Sequence, residues 1–467
     1  MTGTRTEDVE YDPVEDGSGR GIFDGEHRTL TASILTLAVL VGFDAMALTT
    51  VIPVVVAELD GVKLYAWSFS AFIIGSLLAT IVGGEAADRA GPTGPFVVGV
   101  ALFVGGLVCA GLAPSMTIFI LGRALQGIGG SAFFVALNVL VGHAYPKRLV
   151  PRAVAAMSGA WVLPAMVGPI VAGTVADRVG WRAVFLALVP LALVALAAVL
   201  PRMRRLPKAQ AAPSRPWRKY YALAAAVGVG LVQFSMQHLE WWSIAVLLAG
   251  GLLLALGLPR LLPTGTLRLA AGMPRVVGLR FFFAAAYFGV QTYLPLMLTG
   301  HRGLSVTAAG LALTVGSLGW STGAWLQGRD GTRLTRTAMV RIGMVLVVAA
   351  GAMSAVVAFK AVPVWLVGLA CALGGVGMGL GRSTLSALVL TGSAPGSRGS
   401  NTASAQLAES LGQVLSIGVG GAVIAALGGA DGAGGTAFLL VFPAMALVGL
   451  LSLGFARRVS PAAPVDG

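Results

Sequence analysis

Long apolar stretches occupy most of this 467-residue chain. A helix that crosses a bilayer needs about 20 mainly apolar residues, and we find fourteen such stretches, separated by charged clusters, proline or glycine. They run roughly over 29–57, 66–87, 95–113, 115–140, 152–176, 182–200, 219–237, 241–258, 276–298, 304–327, 337–359, 362–390, 401–427 and 436–456. Only 11% of the residues are charged, against about 25% in an ordinary soluble chain. The sequence therefore predicts an all-α integral membrane protein.

The polar residues decide the number and the orientation of the spans. Polar side chains interrupt the apolar stretches within 219–258, so twelve spans remain an alternative to fourteen transmembrane helices. Cytoplasmic loops accumulate Lys and Arg. With the N-terminus inside, 25 of the 32 Lys and Arg residues fall on the cytoplasmic side, five on the other side and two within spans. Because both span counts are even, we expect a multi-pass protein of the inner (plasma) membrane with both termini in the cytoplasm.

A weak internal repeat predicts two related bundles. The segment 125–131 (LQGIGGS) resembles 373–379 (LGGVGMG) at an offset of 248 residues, although chance similarity between glycine-rich helices is the alternative. We expect two six-helix bundles with two extra central helices. The predicted regions are a disordered acidic cytoplasmic tail (1–28), an N-terminal six-helix bundle (29–200), a basic cytoplasmic linker (201–218), an inserted two-helix hairpin (219–258), a C-terminal six-helix bundle (259–456) and a cytoplasmic tail (457–467).

Several classes of function lack their sequence signature. No Lys follows glycine, so there is no P-loop for ATP, and no HExxH or GxSxG motif is present. Cys109 and Cys371 lie in separate apolar stretches without a nearby His, so we expect neither a metal nor a cofactor. The net charge of +13 resides in short loops, which argues against nucleic acid. A polytopic membrane enzyme or a channel is the alternative from another class, but the four His residues are scattered and no filter-like loop is present.

Four motifs stand at the ends or in the middle of spans. They are 84–91 (GEAADRAG) after the second span, 121–130 (LGRALQGIGG) in the fourth, 168–173 (GPIVAG) in the fifth, and Asp44 followed by Thr49, Thr50 and Pro53 in the first. They resemble the GxLADrxGrk, RxxQGxG, GPxxGG and LDxTIVNxALP patterns of the major facilitator superfamily, most closely its fourteen-helix drug:proton antiporter branch. The resemblance covers nearly all of the chain from residue 29 and is clearer in the first six spans.

The resemblance implies gating roles for two of these motifs. In the family, the loop after the second span latches the two halves of the protein, which implies that role for Gly84, Asp88, Arg89 and Gly91. The basic pair that usually follows is replaced by Pro92 and Thr93. The GPxxGG motif is typical of exporters and implies a helix kink at Gly168, Pro169 and Gly173. Proline removes a backbone donor and glycine removes bulk, so a packing kink without directional meaning is the alternative.

Buried charges predict the coupling site. Asp44 and Glu409 are the acids that lie clearly within spans, and Arg123 and Arg382 are their counterparts at comparable depth. A charged side chain within a membrane costs at least about 2.5 kcal/mol and persists only when it faces protein, a partner or water. We therefore predict an Asp44–Arg123 pair and a Glu409–Arg382 pair. Asp44 is the predicted proton carrier, Glu409 is the second choice, and a carboxylate favoured merely by its helix dipole is the alternative for Glu409.

The predicted function is proton-coupled secondary transport, with export of lipophilic drugs or similar small molecules by alternating access. Pockets in such bundles are mainly apolar and aromatic with a few polar groups. The substrate-binding candidates are Gln126, Trp161, Tyr287, Gln291 and Tyr293, for which bundle packing is the alternative role. Export of an endogenous metabolite, lipid or siderophore, or import, is the alternative function. The expected partners are a small-molecule substrate, protons and the lipid bilayer, and the chain is expected to act as a monomer.

Overall fold

The computed structural model describes residues 21–24, 27–146, 149–204, 217–238, 240–329, 334–394, 397–427 and 435–458. These residues are helical, with short connections. The predicted acidic tail, basic linker and C-terminal tail lie largely outside the described residues. The helices are α1 (Arg28–Glu58), α2 (Tyr65–Ala90), α3 (Thr93–Gly111), α4 (Met116–Ala144), α5 (Val150–Gly159), α6 (Val162–Arg178), α7 (Trp181–Leu186), α8 (Leu188–Met203), α9 (Trp217–Met236), α10 (Trp241–Leu261), α11 (Met273–Leu296), α12 (Val306–Gly328), α13 (Arg336–Val357), α14 (Leu366–Thr391), α15 (Arg398–Ala426) and α16 (Thr436–Leu453).

Eleven helical segments among the described residues are long and apolar enough to cross a membrane. The prediction of an all-α, multi-pass membrane protein is thus confirmed. The predicted spans 152–176, 219–237 and 304–327 are also helical but are not among the eleven. The exact number of crossings therefore stays a prediction.

Two predicted spans are each interrupted by a turn close to a proline. The fifth divides into α5 and α6 at residues 160–161, and the sixth divides into α7 and α8 at Ala187. Proline has no N–H to donate to the carbonyl four residues earlier. Pro164 and Pro190 therefore leave the carbonyl groups of Ala160 and Leu186 without their helical partners, and the helices break close to these positions.

The same pairing of helices recurs in the two parts of the chain. Helix α4 packs against α2 and α3, and α14 packs against α12 and α13 in the same way. The repeated glycines form these contacts. Gly127 lies against the backbone of α2 and Gly375 against the backbone of α12, while Gly129 and Gly377 lie against α3 and α13. Likewise α1 packs against α6 and α8, and α11 packs against α15 and α16. These contacts fit two related bundles, whose boundaries remain those predicted from the sequence.

Contacts between the two parts gather where α1 ends and α2 begins, which we call the α1–α2 end. The hydroxyl of Tyr65 donates to the carbonyl of Thr292 at 2.7 Å, and the Tyr65 ring stacks on Tyr293 with 5.4 Å between ring centres. Asp177 at the end of α6 accepts hydrogen bonds from the backbone N–H and the hydroxyl of Thr307, at 3.0 and 2.6 Å. Helix α6 therefore caps the first turn of α12, and the two parts are joined at this end.

The α9–α10 hairpin lies beside the seam between the two parts. Its helices pack closely through Gly228 and Gly250, because an added Cβ at either position would lie within 3.0 Å of the partner helix backbone. Helix α9 also packs against α2 and α15, one from each part. The hairpin thus contacts both parts rather than extending one of them.

Candidate functional site: two buried ion-pair centres

The first ion-pair centre joins α1 to α4 and comprises Asp44, Arg123 and Gln126. Nη1 of Arg123 donates to both carboxylate oxygens of Asp44, at 3.0 Å to Oδ1 and 2.8 Å to Oδ2. Asp44 is 0% exposed and Arg123 is 1% exposed. Burying either ion alone would cost several kcal/mol or more, and pairing offsets that cost only if the geometry is good. The structure contains the Asp44–Arg123 pair predicted from the sequence.

Neutral groups also hold the guanidinium of Arg123. Nη1 donates to Oε1 of Gln126, Nε donates to the carbonyl of Ser68 at 3.3 Å, and the guanidinium carbon lies 4.7 Å from the centre of the Phe72 ring. Gln126 reaches Arg123 because residues three apart share one face of a helix. Arg123 therefore has partners on α2 and α4 that do not depend on the charge of Asp44.

Several buried polar atoms of α1, α2 and α4 lack a hydrogen-bond partner within the described part of the chain. They are Nε2 of Gln126, Oγ of Ser68, Oγ of Ser70 and Oγ1 of Thr50. An unsatisfied buried polar group costs about 1–3 kcal/mol. Strain, a functional role, or a bound water or ion accounts for such groups in native proteins.

The second ion-pair centre joins α11, α14 and α15 and comprises Arg280, Arg382 and Glu409. Nε of Arg382 donates to Oε1 of Glu409 at 2.8 Å, and Nη2 of Arg280 donates to Oε2. Nη1 of Arg280 donates to Oγ of Ser386 at 2.5 Å. The structure contains the predicted Glu409–Arg382 pair, and it adds a second arginine to the same carboxylate.

Arg280 corrects the sequence-based assignment of charges. The positive-inside count assigns it, as one of four arginines in 260–280, to the cytoplasmic side, whereas it lies in the second turn of α11 and is 5% exposed. The predicted span began at 276, so the signal was present as an arginine in the first turns of an apolar stretch. Arg280 lies at a span boundary, and a hydropathy pattern locates span boundaries less precisely than span centres.

Aromatic rings connect the second centre to a small cavity. The guanidinium carbon of Arg382 lies 5.7 Å from the Trp320 ring centre, and Trp320 meets Tyr287 edge-on at 5.5 Å. Tyr287 and Gln291 line a cavity of about 20 Å³ between α11, α13 and α14, with Cys371 on its wall. This volume is room for about one water molecule. Two of the predicted substrate-binding residues therefore face one cavity.

One wall residue of the cavity corresponds in sequence to a residue of the first ion-pair centre. The glycine contacts of α4 and α14 match at an offset of 248 residues, since Gly127 corresponds to Gly375. At the same offset Arg123 corresponds to Cys371, which lines the cavity. The arginine of the buried pair in the first part thus corresponds to a wall residue of a mainly apolar cavity in the second part.

The remaining substrate-binding candidates lie away from this cavity. Tyr293 is 0% exposed, donates its hydroxyl to the carbonyl of Ile417 and stacks on Tyr65. These contacts place Tyr293 in the packing of the α1–α2 end. Trp161 precedes α6 and packs edge-on against Phe134 at 6.3 Å, and it is partly exposed.

The helix-kink motif lies at the contact between the two parts of the chain. The backbone of Pro169 lies against Gly310 of α12, and an added Cβ on Gly310 would collide with the Pro169 carbonyl. Gly173 lies against the backbone of Thr307, 2.9 Å from the position of an added Cβ, and Gly168 lies against Met46 of α1. The motif therefore brings α6 close to both α1 and α12.

The gating motif is described only in part. Gly84 lies in α2, and Gly91 follows its last residue with φ of +87°, a conformation that favours glycine. The side chains of Asp88 and Arg89 lie outside the described set. Their gating role therefore stays a prediction.

The fold and the buried charges define a class of protein, a helical membrane transporter with polar groups inside its bundle. Sequence comparison supports this class. The chain is 27% identical over 339 residues to an uncharacterized MFS-type transporter of Mycobacterium tuberculosis, covering 68% of this chain and 49% of the relative. It is 34% identical over 137 residues to a probable multidrug-efflux transporter of the same organism, covering 29% of each chain. The chain thus spans about half the length, or less, of these relatives.

Solved structures agree on the fold. A POT family transporter in complex with a thioalcohol-conjugated peptide aligns with a TM-score of 0.69 at 16% identity, covering 92% of this chain and 96% of that one. A D-xylose-proton symporter aligns with a TM-score of 0.64 at 16% identity, covering 93% and 98%. The Major Facilitator Superfamily model matches residues 34–417. The chain belongs to the Major Facilitator Superfamily and is a membrane transporter, not an enzyme.

Proposed function

We propose that this transporter exports lipophilic small molecules in exchange for protons and belongs to the fourteen-helix drug:proton antiporter branch. The observation that carries the proposal is the buried Asp44–Arg123 pair, an ionisable carboxyl group in the first span with an arginine that can be moved away from it. Export is favoured by the names of two relatives, the probable multidrug-efflux transporter and an aspyridones efflux protein of Neocamarosporium betae, 24% identical over 314 residues.

The helix order supports fourteen crossings. Helices α5 and α6 together fill one predicted span, α7 and α8 fill another, and each of the other twelve helices fills one. The excess of Lys and Arg in alternate loops supports an inner-membrane protein with both termini in the cytoplasm. In that orientation the α1–α2 end faces outward. The contacts of Tyr65 and Asp177 at that end make this the state closed to the outside.

Proton coupling follows from the opposing effects of burial and of Arg123. Burial favours the neutral form of a carboxyl group, and a neighbouring guanidinium favours the ionised form. We infer that Asp44 takes up a proton from the outside and releases it to the cytoplasm. Gln126, the Ser68 carbonyl and the Phe72 ring hold Arg123 while Asp44 is neutral, so the arginine need not be buried without a partner. Glu409, with Arg382, is the second candidate carrier.

Cargo binds between the two bundles in this proposal. Gln126 offers an unpartnered Nε2 in the first part of the chain, and Tyr287 and Gln291 line the small cavity of the second part. Trp161, which precedes α6 and is partly exposed, is the aromatic contact that we propose from the first part of the chain. The contact of Pro169 and Gly173 with α12 opens when the protein turns outward, and the loop of Gly84, Asp88, Arg89 and Gly91 then latches the cytoplasmic end.

Everted membrane vesicles test the proposal. Vesicles energised with a proton gradient and containing the native chain are expected to release protons when lipophilic cations, neutral compounds or acids are added in turn, and to accumulate the compound that causes the release. Asp44→Asn is expected to abolish both signals. Asp60→Asn is the matched control, because Asp60 is exposed and its positive φ of 48° suits asparagine. Full proton-driven accumulation by Asp44→Asn would refute the assignment.

A further inference from the structure

The second ion-pair centre holds more positive than negative charge. Arg280 and Arg382 both pair with Glu409, which is the single carboxylate in contact with them within the described part of the chain. With all three groups ionised the centre has a net charge of +1, whereas Asp44 balances Arg123 in the first centre. Excess charge inside an apolar bundle is costly unless a partner or water neutralises it. The centre therefore favours a ligand that carries a negative charge.

Both arginines keep hydrogen-bond donors free for such a ligand. Nε of Arg280 is buried and has no partner among the described residues. Arg382 uses Nε for Glu409, and its Nη1 and Nη2 contact no acceptor in the part of the chain that the structure describes. The Arg382 side chain is 31% exposed. A guanidinium group presents paired N–H donors in a plane, which match the two oxygens of a carboxylate or sulfonate.

Trp320 shows that the exposed part of Arg382 faces the inside of the protein. The exposed positions of α12 form a stripe that consists of Leu311, Val315, Leu318, Thr322 and Trp325. At 3.6 residues per turn, Trp320 lies about 180° from the centre of this stripe. Trp320 is nevertheless partly exposed and supports the Arg382 guanidinium. The open surface next to Arg382 is therefore the space between the bundles and not the outer, lipid-facing surface.

An aromatic wall continues from the arginines into the second bundle. Arg280, Tyr287 and Gln291 are separated by seven and four residues, so they share one face of α11. Tyr287 contacts Trp320, and Tyr287 and Gln291 line the small cavity. A ligand whose acid group reaches Arg280 and Arg382 would therefore place its body on aromatic and aliphatic side chains.

We propose that Arg280 and Arg382 bind the acid group of an amphiphilic organic acid, and that this acid is a cargo of the transporter. The inference rests on the proposed function, because it takes the space between the bundles as the cargo path. Glu409 keeps the two guanidinium groups in place when the site is empty. The acid group uses their free donors, and its aromatic or aliphatic body packs against Trp320 and Tyr287.

Equilibrium binding of radiolabelled naphthoate to the purified full chain in lipid nanodiscs tests this site. Naphthoate is expected to bind at least roughly tenfold more tightly than its methyl ester or naphthylmethylamine, which share the ring system but lack the negative charge. Arg382→Gln is expected to weaken naphthoate binding by roughly ten- to a hundredfold, as expected for the loss of charge-assisted hydrogen bonds. Arg178→Gln is the matched control, because Arg178 is exposed and is the last residue of α6, at the α1–α2 end of the other part of the chain.

Further variants keep the test decisive. Arg382→Lys retains the charge and loses the planar pair of donors, so it is expected to bind naphthoate with intermediate affinity even if Arg382→Gln fails to fold. Equal affinity for the acid and its ester in the native chain would overturn the proposal, as would native affinity in Arg382→Gln. An anionic lipid headgroup carries the same kind of negatively charged oxygens as naphthoate and would compete for the two arginines. Equal naphthoate affinity in phosphatidylcholine and phosphatidylglycerol nanodiscs supports a soluble acid, and weaker binding in phosphatidylglycerol assigns the arginines to lipid instead.

The Asp44→Asn variant separates this inference from the proposed function. We expect it to bind naphthoate like the native chain while it loses proton-driven transport. Loss of transport in Asp44→Asn together with absence of naphthoate binding in the native chain would leave proton coupling intact and remove the acid site. If naphthoate binding depends on Arg382 but the Asp44→Asn variant keeps proton-driven transport, the acid site stands and the assignment of proton coupling to Asp44 is refuted.

Discussion

Replacement of Arg123 by Met removes the cation from the first ion-pair centre while keeping much of the side-chain volume. The carboxylate of Asp44 accepts two hydrogen bonds, both from Nη1 of Arg123. Removing one partner of a buried ion pair costs about 3–5 kcal/mol. We therefore expect a loss of about 3–5 kcal/mol in stability where Asp44 is ionised. The loss should be smaller in acid, because a protonated carboxyl group costs less to bury than an ionised one.

The variant that removes the anion, Asp44→Asn, should lose less stability than Arg123→Met. Asp44→Asn leaves Arg123 with the Gln126 side chain, the Ser68 carbonyl and the Phe72 ring, so we expect a loss of about 1.5–3 kcal/mol, the usual value for hydrogen bonds to a charged group. The double variant has no buried charge at this centre. Its loss should be smaller than the sum of the two single losses by about 1–3 kcal/mol.

Unfolding of the purified variants in mixed micelles, followed by tryptophan fluorescence at several pH values, measures these differences. Asp60→Asn is again the control for the loss of a carboxylate at an exposed position. The reasoning is refuted if the two single losses add to within about 0.5 kcal/mol in the double variant. It is equally refuted if Arg123→Met is as destabilising in acid as at neutral pH.

Three further predictions concern the contacts between helices. Gly310→Val should push α12 away from α6, because a side chain at position 310 collides with the carbonyl of Pro169. Spin labels on α6 and α12 at the α1–α2 end should therefore move apart, and unchanged distances between the labels would contradict this prediction. Asp177→Ala removes the acceptor of the two Thr307 hydrogen bonds, while the N-cap Ser305 of α12 remains, and should cost about 0.5–1.5 kcal/mol, measured as a lower unfolding midpoint. Gly375→Leu should prevent recovery of monodisperse protein, because the added Cβ would meet the backbone of α12. Gly368→Leu is the control and should be tolerated, because no atom lies within 4 Å of an added Cβ at that position. Equal yields of the two variants would contradict the prediction.

The first ion-pair centre could be predicted from the sequence because its residues are rare in their setting. Asp44 and Arg123 are ionisable groups near the middle of apolar stretches, where a charge needs a partner. The depth of each residue follows from the helical rise, so residues at similar depth could be paired. The repeated glycines of α4 and α14 indicate that these helices pack closely against neighbours, because close helix contacts need small residues.

Other features needed coordinates. Arg280 lies near a span boundary, where sequence does not distinguish a loop arginine from a buried one, and its contact with Glu409 joins residues 129 positions apart. The packing role of Tyr293 could not be separated from substrate binding, because both roles use an aromatic ring inside a bundle. The breaks before α6 and α8 depend on how Pro164 and Pro190 are accommodated, since proline can either kink or interrupt a membrane helix.

The central claim is that Asp44 takes up and releases a proton. Difference infrared spectroscopy of the carboxyl C=O stretch tests this claim most directly. The native chain is reconstituted in lipid and titrated over the pH range in which it stays folded. The account predicts a band of a protonated, buried carboxyl group that grows as the pH falls, is absent in Asp44→Asn and is retained in Asp60→Asn. A titrating band that persists in Asp44→Asn, or no titrating band in the native chain, would contradict the account.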